Sequence, residues 1–385
     1  MSLSPRVPRS VARTSRTEHT ALPFSVASGE IPSDLTGHLF VVAPASTFRA
    51  PPSEQRATVM AGDGMICRFD LAPGGVTLTS RLARTHDFVA DEITSVRDDL
   101  MLYRFSTAGI VRLGLLGTRD FANTALVPLK QGSGPTRMLV TYDAGRPWEL
   151  EPHTLRLRGP IGGRAEWRPE ALREQPFPVY LSPAHPVWDR HTGEFFTVNY
   201  GRGALNFAAT VPFVYALTSL PEWAGEALER LAAIAGVDAT LRWIARRVER
   251  GTTELDRAVE RLLDRYFPDV PDTFTDLLRW DGSGRLERFR LVLDGGREVG
   301  ITQSVHQIAV TRSHVVVLHT GFKIGFASAF NDPLPRSDVI DRLLRAALTR
   351  PQLPTTTLYI VPRAQLDRTD LPVGDDGVRC VRCTR

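Results

Sequence analysis

Three shortages narrow what this chain can be: it has little cysteine, little net charge and no long apolar run. Its 385 residues include only Cys67, Cys380 and Cys383, so a disulfide-stapled secreted scaffold is excluded. Cys380-Val381-Arg382-Cys383 has no second pair to complete a zinc site, and a solvent-exposed tail is expected there. No stretch of about 18 apolar residues occurs, so no membrane-spanning helix is predicted. The net charge is +4, with arginines interspersed among acids; that pattern describes solvated faces and gives no nucleic-acid-binding stripe. The Gly-x-Ser-x-Gly turn of many serine hydrolases is missing as well. The first 17 residues contain Arg6, Arg9, Arg13 and Arg16 and no acid. They lack both the apolar centre of a secretory signal and the clear amphipathic face of a transit peptide. The expectation is a disordered basic arm over 1–28 of a cytoplasmic protein.

What is present is a long succession of short strand patterns. Gly37–Val42, Ile66–Leu71, Val76–Arg81, Asp99–Arg104, Met138–Tyr142, Phe195–Asn199 and Val315–His319 are separated by Gly, Pro and Asp turns. Such spacing predicts an all-β domain over 29–385: a sandwich, barrel or propeller. Leu277–Trp280 and Leu286–Leu293, joined by Asp281-Gly282-Ser283-Gly284, read as a hairpin. The exception is an insertion over 219–267. There the capping box Ser219-Leu220-Pro221-Glu222 opens the first of three helical patterns, which run to Pro268. Trp243 among Arg242, Arg246, Arg247 and Arg250 gives this insertion the composition of a peripheral membrane contact, although packing on the β body is the plainer reading. A short helix is also predicted from Ser337 to Thr349.

Two histidines stand in matching settings. His185 lies in Ser182-Pro183-Ala184-His185-Pro186, before the strand Phe195–Val198; His306 lies in Gln303-Ser304-Val305-His306-Gln307, before Val315–Leu318. A single histidine before a strand is ordinarily structural. Two in one repeated setting could converge on an axis and bind iron, copper or zinc.

The residues around them carry a resemblance. Ile31-Pro32-Ser33-Asp34-Leu35-Thr36-Gly37, Ala61-Gly62-Asp63-Gly64-Met65 and Tyr142-Asp143 through Pro152-His153-Thr154-Leu155 are three segments of a set of six. Ala184-His185-Pro186 with Asp189 and Thr192-Gly193-Glu194, then Ser304-Val305-His306, then Leu358-Tyr359-Ile360-Val361-Pro362-Arg363 complete it. In this order they resemble the carotenoid cleavage oxygenases.

The resemblance implies a seven-bladed β-propeller carrying non-haem Fe(II) on its axis, held by four histidines. The implied reaction adds O₂ across a conjugated C=C bond of a carotenoid, apocarotenoid or stilbene. It also implies an apolar tunnel, with the 219–267 insertion as part of a cap. Carried over by position, His185 and His306 match the first two iron ligands. Asp143 matches an acidic residue that holds a ligand imidazole, where the family usually has the longer glutamate. The sequence reaches Arg385 with no match to the third and fourth histidines. The expectation is therefore a family member incomplete in its C-terminal blades, with half a ligand set and weak iron binding. Promotion of Asp143 to a direct ligand would give a 2-His-1-carboxylate site instead. Two rival readings are a non-enzymatic binder of a hydrophobic ligand on the same fold, and an unrelated β-propeller with structural histidines.

Overall fold

The computed structural model describes residues 14–47, 61–73, 75–108, 111–170, 174–202, 273–301, 303–320 and 355–385. The insertion over 219–267 and the helix expected from Ser337 to Thr349 lie outside them. Five sheets follow one another along the chain. The first contains β1 (His19–Phe24), β2 (Gly37–Pro44), β3 (Gly64–Ala72) and β4 (Gly75–Leu82), in the order β1-β4-β3-β2. A helix, α1 (His86–Val96), leads to a small sheet of β5 (Ser106–Ala108), β6 (Val111–Gly114) and β7 (Gly117–Thr118). The third sheet is a meander of β8 (Ala125–Leu129), β9 (Arg137–Thr141), β10 (Trp148–Leu150) and β11 (Leu157–Pro160). The fourth is built on β12 (Val187–Asp189), β13 (Glu194–Gly201), β14 (Phe274–Trp280) and β15 (Glu287–Val292). The fifth holds β16 (Ser304–Val310), β17 (His314–Thr320) and β18 (Thr357–Pro362).

Side-chain alternation explains how the sheets stack. On β13, Phe195 packs with Trp188, Trp280 and Leu139. Its neighbours Phe196 and Val198 point the other way, to Leu277, Val305, Val315 and Val361. On β9, Leu139 joins the first of these clusters, while Met138 and Val140 pack with Ile66, Trp148 and Leu150. A strand with period-two side chains that is apolar at nearly every position must be covered on both faces. Phe195 and Phe196 are both fully buried, each stabilising the fold by roughly 1.5–3 kcal/mol through area removed from water.

The glycines of Ala61-Gly62-Asp63-Gly64 have a steric cause. A Cβ on Gly62 would lie 1.6 Å from the Ala45 carbonyl oxygen, and one on Gly64 would lie 2.1 Å from that of Ala122. The backbone passes where only glycine fits. This close approach buries Asp63, which ion-pairs with Arg119. Arg119 also holds Asp87 at 3.0 Å and pairs with Asp91, which Arg112 meets at 2.6 Å.

Three expectations are corrected. The arm expected to be disordered over 1–28 is ordered at its end: β1 pairs antiparallel with β4, and Arg16 ion-pairs with Asp63. Asp99–Arg104, read as a strand, falls mostly within a 3₁₀ helix over Asp98–Tyr103 with Met101 and Leu102 exposed, so its apolar residues serve no sheet face. The Cys380–Cys383 segment is not an exposed tail. Residues Arg379–Arg382 form β19, which pairs in parallel with β15, and Cys383 is buried. Burial pushes the Cys383 thiol up to about 11, so it behaves as a packed apolar group.

Candidate metal centre

The site lies where the entry to β12 crosses β16. Val305 pairs with His319 and Ile308 with Val317, so His306 and Gln307 together face one residue of β17. This is a β-bulge, which re-aims a side chain at the cost of a ladder position. Ala184-His185-Pro186 fills the gap in the pairing. The His185 N–H donates to the His306 carbonyl at 3.1 Å, and the Ile308 N–H donates to the His185 carbonyl at 3.3 Å. Pro186 fixes this entry by disfavouring helical backbone at His185.

With their backbones joined, the rings meet. The imidazole centres of His185 and His306 are 4.9 Å apart, at 79° to one another. The backbone around His185 is buried, with Ala184 0% exposed, but its imidazole is exposed. No ring nitrogen of His185 is hydrogen-bonded among the described residues.

Asp143, just past the end of β9, holds the pair from below. Its Oδ1 lies 2.9 Å from His306 Nδ1 and also accepts the Ala184 N–H at 3.3 Å. The Asp143 carbonyl accepts the Ser182 N–H at 3.1 Å, and the Thr141 hydroxyl donates to the Ala184 carbonyl at 2.5 Å. Ser182 Oγ donates to the carbonyls of Tyr142 and Gly145 at 3.2 and 2.8 Å. Aspartate reaches the imidazole because the Ser182–His185 segment is laced to the end of β9. Thr141 and Ser182 were not legible as parts of this scaffold, since neither can bind metal and neither stands out by spacing.

The electrostatics separate the two rings. The hydrogen bond to Asp143 raises the pKa of His306, whereas partial shielding from water by the surrounding chain, reinforced by the charge of His306, lowers that of the exposed His185 ring. A proton on His306 Nδ1 directed at Asp143 puts the ring's lone pair on Nε2, the arrangement typical of a metal-ligating histidine. The spacing suits two neighbouring ligands of one ion. At a ring-centre separation of 4.9 Å, both imidazoles would be within reach of one ion about 2.1 Å from a nitrogen of each. The donor set fits a metal at two positions. Among the described residues no third His, Cys, Asp or Glu joins them.

Four of the other histidines have ring partners elsewhere. His319 Nε2 accepts the Gln303 N–H at 3.2 Å and its ring stacks on Tyr359. His38 pairs with Asp70, His314 Nδ1 lies 2.9 Å from Ser313 Oγ, and His86 meets Trp148 edge-on.

Comparison with known proteins identifies the family. The family profile described as "Retinal pigment epithelial membrane protein" matches residues 12–238, more than half of the chain. The chain belongs to this family, the carotenoid cleavage oxygenases. Isoeugenol monooxygenase of Pseudomonas putida is 27% identical over 205 residues, covering 51% of this chain and 37% of that protein. The enzyme of the same description from Pseudomonas nitroreducens is 28% identical over 167 residues, covering 43% and 30%. Among solved structures, the lignostilbene dioxygenase of Pseudomonas brassicacearum matches with a TM-score of 0.49 at 16% identity, over 91% of this chain and 52% of that one. A Synechocystis apocarotenoid oxygenase matches at 0.46 and 15%, over 92% and 55%. The chain thus spans about half the length of these structures and less of the isoeugenol monooxygenases. No helix among the described residues is long and apolar enough to cross a membrane.

Proposed function

We propose that this protein is a non-haem Fe(II)-dependent oxygenase chain that cleaves a conjugated C=C bond of a carotenoid, apocarotenoid or stilbene with O₂. The observation that carries this reading is the right-angled His185–His306 pair, with His306 held through its Nδ1 by Asp143. Iron bound there would supply the means to engage O₂, which closed-shell side chains lack. In the overall reaction both oxygen atoms enter the substrate and the double bond becomes two carbonyls, so no external reductant is needed.

The protein's own contribution is positional. Asp143 fixes the tautomer and orientation of His306 and, through the Ala184 N–H, the segment that carries His185. Neutral imidazoles add no negative charge to the metal, which keeps it electrophilic. Cores shared between the first and third sheets, the third and fourth, and the fourth and fifth support a propeller; seven blades and a cap over 219–267 belong to this proposal. So does contact of that cap with a membrane surface, near an apolar polyene or stilbenoid substrate.

Two imidazoles alone hold Fe(II) weakly, so weak uptake is expected at this pair. Anaerobic Fe(II) titration, followed by exposure to O₂ with an apocarotenal or a hydroxystilbene, tests this. Iron uptake that depends on His185 and His306 supports the site. Uptake indifferent to both residues overturns it, and one tightly held iron with rapid turnover overturns the expected weakness.

A further inference from the structure

The turn that follows Asp143 borders a second candidate site. A cleft of about 180 Å³ opens between the start of α1, β7 and the turn after β9, lined in part by Asp120, Arg146, Trp148, Arg164, Phe177 and Tyr180. Its charges are unusual. Arg146 lies over the Tyr180 ring at 5.2 Å and donates to the Gly162 carbonyl at 2.9 Å. Arg164 donates to the Pro176 carbonyl at 2.6 Å. Neither guanidinium has a carboxylate within ion-pair distance among the described residues, although most of the described arginines do. Burial lowers the pKa of Arg146, and the neighbouring charge of Arg164 adds to this against the partial compensation of Asp120 and Glu166, as for a cation removed from water with no carboxylate in direct contact.

Asp120 forms the floor. Trp148 Nε1–H donates to its Oδ2 at 2.9 Å and the Ala122 N–H to its Oδ1 at 3.1 Å. Its carboxyl is pushed up to about 7 by burial and by Asp87 nearby. It therefore keeps a proton in mildly acidic solution and offers a hydroxyl to a bound anion. Asp87 also borders the cleft, but its charge is met by Arg119 and by the Asp120 N–H. A Cβ at Gly145 would lie 2.1 Å from Asp120 Oδ2, so this glycine is what lets the carboxyl reach the cleft.

We propose that this cleft binds a small aromatic monocarboxylate, its carboxylate held by Arg146 and Arg164 and its ring packed among Trp148, Phe177 and Tyr180. Two planar guanidiniums suit a planar anion, and a space near 150 Å³ accommodates one six-membered ring. Asp120 hydrogen-bonds the same carboxylate or a hydroxyl on the ring.

Calorimetric titration of the full chain with benzoate and 4-hydroxybenzoate tests the proposal. Saturable binding is expected, weakened at least tenfold by Arg146→Met and clearly by Arg164→Met, whose exposed position leaves the fold undisturbed. Benzamide, the neutral counterpart, should not bind, and a chelator should change nothing. Equal binding of benzamide, or full affinity in Arg164→Met and Arg146→Met, overturns the proposal. Affinity abolished by chelator assigns the ligand to the His185–His306 pair and overturns it too. Binding of inorganic phosphate as tight as benzoate overturns the aromatic specificity.

Discussion

The His185 N–H donates to the His306 carbonyl and the His185 carbonyl accepts the Ile308 N–H, so main chain holds the two histidines side by side. Residues 121 positions apart in sequence behave as neighbours in one ladder. Side-chain changes at either histidine therefore leave the geometry of the other in place.

The first prediction follows. His185→Ala should lower Fe(II) affinity at least tenfold and change stability by no more than about 0.5 kcal/mol, since the ring is exposed and makes no protein hydrogen bond. Anaerobic metal titration and thermal unfolding of the same sample check both halves. A large stability loss would mark the residue as structural.

Asp143→Ala should do the reverse, affecting both quantities. It deprives the Ala184 N–H and His306 Nδ1 of their shared acceptor, at a cost of about 1–3 kcal/mol for the stranded donor. Loss of a residue that orients a ligand lowers metal affinity by roughly 10–100-fold. Asp143→Asn, with its amide oxygen toward His306, should recover part of the stability. Denaturant titration and iron affinity of the two variants, compared side by side, decide this.

Asp120 supplies a pH dependence. Its carboxyl is raised from an ordinary value near 3.8 to about 7 by burial and Asp87. The folded state then binds more protons than the unfolded state between those values, so this group makes stability fall as pH rises from about 4 to about 7. Asp120→Asn should flatten that slope. The quantity to compare is the difference in unfolding temperature between pH 5 and pH 8, because the amide also faces the Trp148 N–H and shifts both values. An unchanged slope would place the titration elsewhere.

Gly64→Ala should be among the most damaging small substitutions. Its methyl would meet the Ala122 carbonyl oxygen at 2.1 Å, and backbone cannot turn aside as a side chain can. The loss should match or exceed the roughly 1–3 kcal/mol usual for overpacking, read as a drop in soluble yield and in the unfolding midpoint.

Local pattern made much of the fold legible. β17 alternates between buried and half-buried positions, β3 and β13 are short apolar-rich runs bounded by turn residues, and the hairpin of β14 and β15 was visible from Asp281-Gly282-Ser283-Gly284. Asp99–Arg104 misled because a short apolar run has the same composition whether its side chains are covered or, like Leu102, left in solvent. The segment containing Cys380 misled for the opposite reason. It is short and charged, and its partner β15 lies about ninety residues earlier. At the site, the histidines and Asp143 could be picked out by the motifs around them. The second role of Asp143, toward Ala184, could not, because it depends on the path of a proline-flanked segment.

The bulge at His306 and Gln307 has an evolutionary consequence. In a regular strand, moving along by one residue reverses which side of the sheet a side chain faces. Here an additional residue shifts that phase midway along β16, with Val305 and Ile308 both buried on either side of the shift. The histidine owes its outlook to the number of residues before Ile308 as much as to its own identity. A lineage could lose or regain this half of the centre through a single-codon deletion or insertion, with every residue type around it unchanged.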